Sequence, residues 1–112
     1  MKEIKAYIRV ERAAKVHAAL SEAGASHLTL NHVLALGAHG ETDQTKLSIE
    51  FGCYVNRRVK VELICLDRDE TRMVELIRKA ANTGQPGDGI ITVTNVNRLV
   101  KIRTAAESVE AL

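Results

Sequence analysis

The order of strand-like and helix-like patterns along this chain predicts an α+β fold with the element order β-α-β-β-α-β. Four stretches alternate apolar and polar residues, which is the period-two pattern of a half-buried strand. Two other stretches space their apolar residues three or four positions apart, as along one face of a helix. This order is that of the ferredoxin-like fold, in which two helices cover one face of a four-stranded antiparallel sheet.

The patterns also predict where each element begins and ends. The strand pattern covers residues 4–10, 28–34, 59–65 and 90–96. The first helix runs from residue 11 to Gly24, because glycine commonly ends a helix. Asp67 or Asp69 can cap the second helix. The predicted buried stripe of that helix consists of Met73, Ile77 and Ala80. A further short strand or edge segment is predicted at 99–102, and a short helix at 105–112.

A long connection separates the second and third strand patterns. It covers residues 37–54, whereas most hairpin loops have about two to five residues. The segment is polar at its start and contains three glycines. We interpret it as a long flexible loop that contacts a partner or responds to a ligand. The alternative is that both strands extend further into this range than the alternating pattern indicates.

The length of 112 residues favours a single domain over residues 1–112. The net charge of +2 and the aromatic content of 3% do not suit a nucleic-acid-binding surface, which needs basic patches and stacking rings. No apolar run approaches the roughly 18 residues of a membrane span, and no signal peptide precedes the first strand pattern. We therefore expect a cytoplasmic protein that neither binds nucleic acid nor inserts into a membrane.

Cys53 and Cys65 are expected to be reduced thiols, with a disulfide between them as the alternative.

A glycine-rich segment connects the second helix to the last strand. Residues 83–89 read Thr-Gly-Gln-Pro-Gly-Asp-Gly. Three glycines in seven residues allow successive backbone N–H groups to converge on an anion such as a phosphate. The alternative is an ordinary turn, since Gly-Asp-Gly before a strand is also typical of turns.

The sequence contains no recognisable catalytic grouping. Catalysis requires a nucleophile with its base, or an acid and a base placed in one pocket. No serine–histidine–aspartate motif is present, and the four histidines are scattered along the chain. We therefore expect a protein that is not an enzyme.

The glycine-rich segment, the long loop and the C-terminal residues together resemble the PII signal-transduction family. The resemblance depends on Thr83-Gly-x-x-Gly-Asp-Gly89 and on the basic stretch Val-Lys-Ile-Arg-Thr at 100–104. The opening Met-Lys-Glu-Ile-Lys-Ala and the helix end Ala-Leu-Ser-Glu-Ala-Gly at 19–24 are similar to the first strand–helix unit of that family. The resemblance covers essentially the whole chain except the long loop.

The resemblance implies a homotrimer that binds adenine nucleotides, as small-molecule effectors, in the clefts between subunits. Backbone N–H groups of the glycine-rich segment would hold the phosphates, and Lys101 and Arg103 would reach them from the neighbouring subunit. Gly37 would let backbone approach the nucleotide, while Thr29 and Arg58 would contact its base and its phosphate. The implied nucleotide-binding residues are Thr29, Gly37, Arg58, Thr83, Gly84, Gln85, Pro86, Gly87, Asp88, Gly89, Lys101 and Arg103. The implied partner loop includes His39, Gly40, Phe51 and Tyr54.

Two departures from the family pattern indicate which nucleotide is bound. Ile90 stands where the family usually has a lysine after Gly-Asp-Gly, so one cation is missing from a triphosphate site. Ala38 and His39 stand where the family usually has arginine and the glutamine that helps to hold Mg-ATP with 2-oxoglutarate. We therefore expect AMP, ADP or cyclic AMP in preference to ATP with 2-oxoglutarate. Uridylylation of Tyr54 is not expected.

The resemblance also implies that the long loop reports nucleotide occupancy to a membrane transporter or an enzyme. The divergent branches of the family suggest inorganic-carbon metabolism, with bicarbonate as a further effector, and nitrogen metabolism is the other candidate. An alternative within the superfamily is a metal-responsive trimer that resembles the divalent-cation-tolerance proteins. The metal ligands would then come from His32 and His39 with Cys53 or Asp43.

Overall fold

Five strands and two helices occur in the part of the chain that the structure describes. The computed structural model describes the backbone of residues 1–37, 45–48 and 53–112, and the side chains of residues 1–36 and 56–112. The strands are β1 (Lys2–Arg9), β2 (Thr29–Gly37), β3 (Thr45–Ser48), β4 (Cys53–Cys65) and β5 (Ile90–Asn95). The helices are α1 (Ala13–Glu22) and α2 (Glu70–Ala81).

The strands form an antiparallel sheet in the order β2-β4-β1-β5. β1 pairs with β4 along its whole length, from Lys2 opposite Cys65 to Arg9 opposite Arg58. The other edge of β1 pairs with β5, and the other edge of β4 pairs with β2. The predicted α+β, ferredoxin-like arrangement is therefore confirmed, while the trimer stays a prediction.

The core lies between the sheet and the two helices. Successive side chains of a strand point to opposite faces of the sheet, so β1 and β4 each place one apolar row against the helices. Burying one large aliphatic side chain stabilises the fold by about 1.5–3 kcal/mol. The largest fully buried side chains are Ile4, Ile8, Val16, Leu20, Val61, Leu63 and Ile77. Met73 and Ile77 of the predicted α2 stripe are buried, whereas Ala80 is only partly buried beside the buried Ala81.

The connection predicted at 37–54 is shorter in the structure, because strands extend into it. β2 continues to Gly37, β4 begins at Cys53, and β3 lies within the predicted loop and pairs with the start of β4. The alternating pattern starts only at Val59, because Asn56 and Arg58 are polar and interrupt it. Both residues are nevertheless buried in β4. Residues 38–44 and 49–52 lie outside the described residues, so the flexibility of the loop stays a prediction.

The helix ends agree with the sequence in position but not in every contact. Gly24 has φ +81° and ends α1 as predicted: its N–H donates to the Ser21 carbonyl at 3.0 Å, and Ala25 N–H donates to the Leu20 carbonyl at 2.9 Å. Asp69 occupies the N-cap of α2, yet its carboxylate accepts a hydrogen bond from Arg72 at 3.3 Å and none from the helix amides. Neither of these helices, nor any other helix in the described ranges, is long and apolar enough to cross a membrane.

The C-terminal residues form a reverse turn in place of a regular strand and helix. The strand expected at 99–102 is a single β-bridge between Val100 and Glu107. The helix expected at 105–112 is a 3-10 turn, Ser108–Ala111. The Ala105 amide donates to the Lys101 carbonyl at 2.8 Å, which reverses the chain at 101–105 and exposes the side chains of Lys101 and Arg103.

The two cysteines lie at opposite ends of one strand, β4. At about 3.3 Å per residue, their Cα atoms are roughly 40 Å apart. A disulfide requires Cα atoms within about 7 Å, so the pair cannot close within one chain. Cys65 is a free, buried thiol whose pKa is raised by burial and by nearby carboxylates.

Candidate functional site

The glycine-rich segment at 83–89 is a folded turn that joins α2 to β5. Pro86 and Gly87 are its central residues, and Gly87 has φ +94°, as position i+2 of a type II turn requires. Gly89 has φ +105° and passes so close to β1 that a Cβ atom there would lie 1.7 Å from the Tyr7 carbonyl oxygen. Both glycines are therefore explained by the backbone itself, before any ligand is considered.

The carboxylate of Asp88 holds this turn together by accepting hydrogen bonds from residues at its start. It accepts hydrogen bonds from the Thr83 N–H at 2.7 Å, from the Gly84 N–H at 3.1 Å and from the Thr83 hydroxyl. The Gln85 N–H donates to the Thr83 hydroxyl oxygen at 3.2 Å. Three amides that the sequence offered to a phosphate are thus engaged within the turn. The predicted phosphate contacts then depend on the later residues of the segment.

Arg9 anchors the turn to the end of β1. Its Nε donates to Asp88 Oδ1 at 3.1 Å, and its Nη2 donates to the Pro86 carbonyl at 2.6 Å. Arg9 is only 5% exposed, although it alternates with apolar residues in β1, a pattern typical of a solvent-facing side chain. The glycine-rich turn covers it. Sequence reasoning missed Arg9, since the only signal was a polar residue at the strand's last position.

The hydrogen bond from the Thr83 hydroxyl, the amides of Thr83 and Gly84, and Arg9 together hold the pKa of Asp88 well below its usual range. A lowered folded-state pKa stabilises the protein above the unfolded pKa of about 3.9, and that contribution is lost as the pH falls. We expect Asp88→Asn to lower the free energy of unfolding by about 2 kcal/mol at pH 7. The difference in free energy of unfolding between the natural protein and Asp88→Asn should become smaller as the pH falls below about 5. Urea unfolding at pH 7 and pH 3 would measure this difference. A gap independent of pH would contradict an ionised Asp88 in this role.

A groove of about 410 Å³ lies beside the turn, on the sheet face opposite the helices and at the β2 edge. Arg58 lines it and is only 7% exposed, while Ile90 lines it and is 62% exposed. Within the described residues Arg58 makes no ion pair with a carboxylate, and its Nη1 donates to the Arg57 carbonyl at 3.2 Å. The groove's lining residues are Tyr7, Val33, Leu34, Ala35, Leu36, Arg58, Gly89 and Ile90. One buried cation therefore faces an otherwise largely apolar cavity.

Comparison with known proteins places the chain among regulators. The family model "Nitrogen regulatory protein P-II" matches residues 1–106. The chain belongs to the P-II family. It is 32% identical to the nitrogen regulatory protein P-II of Rhizobium meliloti and 35% identical to that of Pyropia yezoensis, with each comparison covering the full length of both chains. It is also 33% identical to nitrogen regulatory protein P-II 2 of Methanothermobacter thermautotrophicus, over the full chain and 97% of that protein. P-II proteins are signal-transduction regulators rather than enzymes.

Within one chain of this P-II protein, some of the predicted nucleotide-binding residues meet at the groove, while Thr29, Lys101 and Arg103 lie away from it. Arg58 and Gly89 meet at the groove, and Gly37 directly follows its lining residue Leu36. Thr29 pairs with Glu62, four residues along β4 from Arg58, and therefore lies about 13 Å away along the sheet. No hydrogen bond or ion pair among the described residues joins Lys101 or Arg103 to the glycine-rich turn.

The predicted partner loop is only partly described. His39, Gly40 and Phe51 lie outside the described residues. Tyr54 lies in β4 with its backbone opposite Gly37 and Leu47, and its side chain is outside the described set. The four residues therefore stay predictions as partner contacts.

The alternative metal site also remains a hypothesis. His39 and Asp43 lie outside the described residues, as does the side chain of Cys53. His32 lies in β2 beside Arg57 and Leu34, in a separate small groove. Among the side chains that the structure describes, no group of three or more His, Cys, Asp or Glu residues could hold a metal ion.

Proposed function

We propose that this P-II protein senses adenylate state by binding AMP, ADP or cyclic AMP in the groove beside the glycine-rich turn. The observation that carries the proposal is the buried Arg58 guanidinium, which faces the groove without a carboxylate partner among the described residues. A buried cation is costly unless an anion or several acceptors compensate it. A phosphate group would supply that anion, and an arginine fork suits its oxygens.

The size and lining of the groove support a nucleotide as that anion. Its volume of about 410 Å³ falls within the range of small-molecule sites, which runs from about 300 to 1,000 Å³. Val33 and Ala35 of β2 share the Arg58 face of the sheet and, with Ile90, would cover an apolar ring, while Arg58 and the Gly89 backbone would face a phosphate. The apolar Ile90 favours a ligand with few phosphates, because no cation stands there to neutralise a γ-phosphate.

A second subunit would complete the site. Lys101 and Arg103 are exposed on the C-terminal turn, and Thr29 lies about 13 Å along the sheet from Arg58 of its own chain. In a homotrimer these three residues would contact nucleotide from the adjacent subunit. Contact with another subunit would also bury apolar side chains, such as Leu34 and Ile102, that are exposed in one chain.

Nucleotide occupancy would be reported through the long loop. Gly37, at the end of β2, connects the groove wall to residue 38, so ligand contacts there can bias the loop that follows. The expected target is a membrane transporter or an enzyme in nitrogen or inorganic-carbon metabolism, with bicarbonate as a candidate second effector. The protein would act in the cytoplasm as a regulator, without catalysing a reaction.

The nucleotide preference is tested at Ile90. We expect the natural protein to bind ADP or AMP at least as tightly as ATP by titration calorimetry, with no gain from Mg²⁺ and 2-oxoglutarate. Ile90→Lys should raise the ratio of ATP to ADP affinity between about tenfold and a hundredfold, because a charge-assisted contact contributes roughly 1.5–3 kcal/mol.

Thr92→Lys provides the matched control for that change. Thr92 is exposed on the same face of β5, two residues beyond Ile90, and does not line the groove. A lysine there adds the same charge without reaching the γ-phosphate. Tight ATP binding that 2-oxoglutarate strengthens would contradict the proposed preference, and the absence of any adenine nucleotide binding would contradict the function itself.

A further inference from the structure

We infer that Arg9 and Asp88 are positioning residues for nucleotide phosphate, acting through the shape of the glycine-rich turn. The inference rests on the proposed function and deepens it. Neither side chain lines the groove itself. Their ion pair connects the end of β1 to the turn, and the two residues are 79 positions apart in the sequence.

Arg9 and Asp88 together hold the turn at its start and at its apex. Asp88 binds the amides of Thr83 and Gly84 at the start of the turn. Arg9 binds the Pro86 carbonyl at its apex, at 2.6 Å, as well as Asp88 at 3.1 Å. The turn is thereby fixed against β1 by charge-assisted bonds, which are roughly twice as strong as neutral ones.

The Arg9–Asp88 anchor is adjacent to Arg58, the cation proposed to bind phosphate. Arg9 and Arg58 are directly paired in the β1–β4 ladder, so their side chains share one face of the sheet. Both are more than 90% buried. Asp88 compensates Arg9, which leaves Arg58 and the Gly89 backbone at the groove to meet an incoming anion.

Loosening the Arg9–Asp88 anchor would leave the conformation of the turn less fixed. Without it, Gly89 and the residues before it would sample other conformations, and a phosphate would have to order them on binding. That ordering lowers affinity for ligands that carry phosphate. A nucleoside without phosphate contacts only the apolar wall, so its affinity should not depend on the anchor.

The test compares ADP with adenosine as probes, by two-dimensional NMR titration of Arg9→Gln, Arg9→Lys and Asp88→Asn. Asp88→Asn keeps the size of the side chain and retains one acceptor, so it guards against a simple failure to fold. We expect Arg9→Gln and Asp88→Asn each to weaken ADP binding about five- to tenfold, with adenosine binding unchanged within twofold. Arg9→Lys should lose less, and the Arg9→Gln/Asp88→Asn double variant should lose no more than either single one.

Arg72→Gln is the matched control, since Arg72 forms an ion pair with Asp69 at the far end of α2. It should leave both affinities unchanged. Equal losses for ADP and adenosine, additive losses in the double variant, or ADP binding at the natural affinity would each overturn the inference alone. Failure of the natural protein to bind ADP, AMP or cyclic AMP would overturn the proposed function, and the inference with it.

Discussion

Gly89→Ala is expected to lower the free energy of unfolding by about 3–5 kcal/mol. The added Cβ would lie 1.7 Å from the Tyr7 carbonyl oxygen and 2.9 Å from the carbonyl carbon. These are backbone atoms in the interior of the sheet, where Tyr7 pairs with Ile90, so they cannot move without breaking the β1–β5 ladder. Urea unfolding of both proteins would measure the loss.

Gly84→Ala is the matched control for that substitution. Gly84 lies in the same turn and has a similarly positive φ of +78°, but no atom lies within 4 Å of its added Cβ. Its cost should therefore be only the backbone strain of alanine in the left-handed region, about 1 kcal/mol. Equal losses in the two variants would show that contact with β1 does not constrain the turn.

Arg58→Met is expected to weaken ADP binding between about tenfold and a hundredfold, while the stability of the chain stays within about 1 kcal/mol of the natural protein. The lost affinity corresponds to a charge-assisted contact with phosphate of roughly 1.5–3 kcal/mol. Stability should hold because methionine removes a buried charge that has no carboxylate partner among the described residues. Calorimetry with ADP and urea unfolding would measure the two quantities separately.

Arg57→Met controls for the loss of one positive charge. Arg57 is the neighbouring residue of β4, but it is exposed and points to the opposite face of the sheet. ADP affinity should change by less than about threefold in this variant, since an exposed charge at that distance is screened. Equal effects of the two substitutions would mean that Arg58 contributes only general electrostatic attraction.

Much of the fold was predictable because it follows from local patterns. The period-two rows of β1 and β4, and the α2 stripe with Met73 and Ile77, predicted the buried face that the structure has. Gly24 likewise ends α1 with the hydrogen bonds expected of a C-terminal glycine. Errors occurred where polar residues lie in buried strand positions. Asn56 and Arg58 are such residues, and they made β4 seem to begin six residues too late.

The candidate site was predictable only in part. The glycine-rich turn was identified from its three glycines and Arg58 through a family resemblance, and the comparisons confirm the family. The roles of the individual residues stay predictions. The internal use of the Thr83, Gly84 and Gln85 amides was not predictable, because nothing in the local pattern distinguishes a turn closed by its own carboxylate from one open to a phosphate.

The glycine-rich segment and the basic stretch at 100–104 carried the resemblance to the P-II family, which the comparisons confirm. By itself the sequence also determined the order of the two helices and of four of the strands, and the helix-covered face of the sheet. These depend on residue spacing over a few positions, which is visible along the chain. Only the tertiary structure decided that Arg9 is buried, that Asp88 binds it across 79 positions, and that Arg58 is left to face a groove. The physical reason is that burial and ion pairing depend on which strands and turns pack together, and that packing is set by the whole fold rather than by neighbours in sequence.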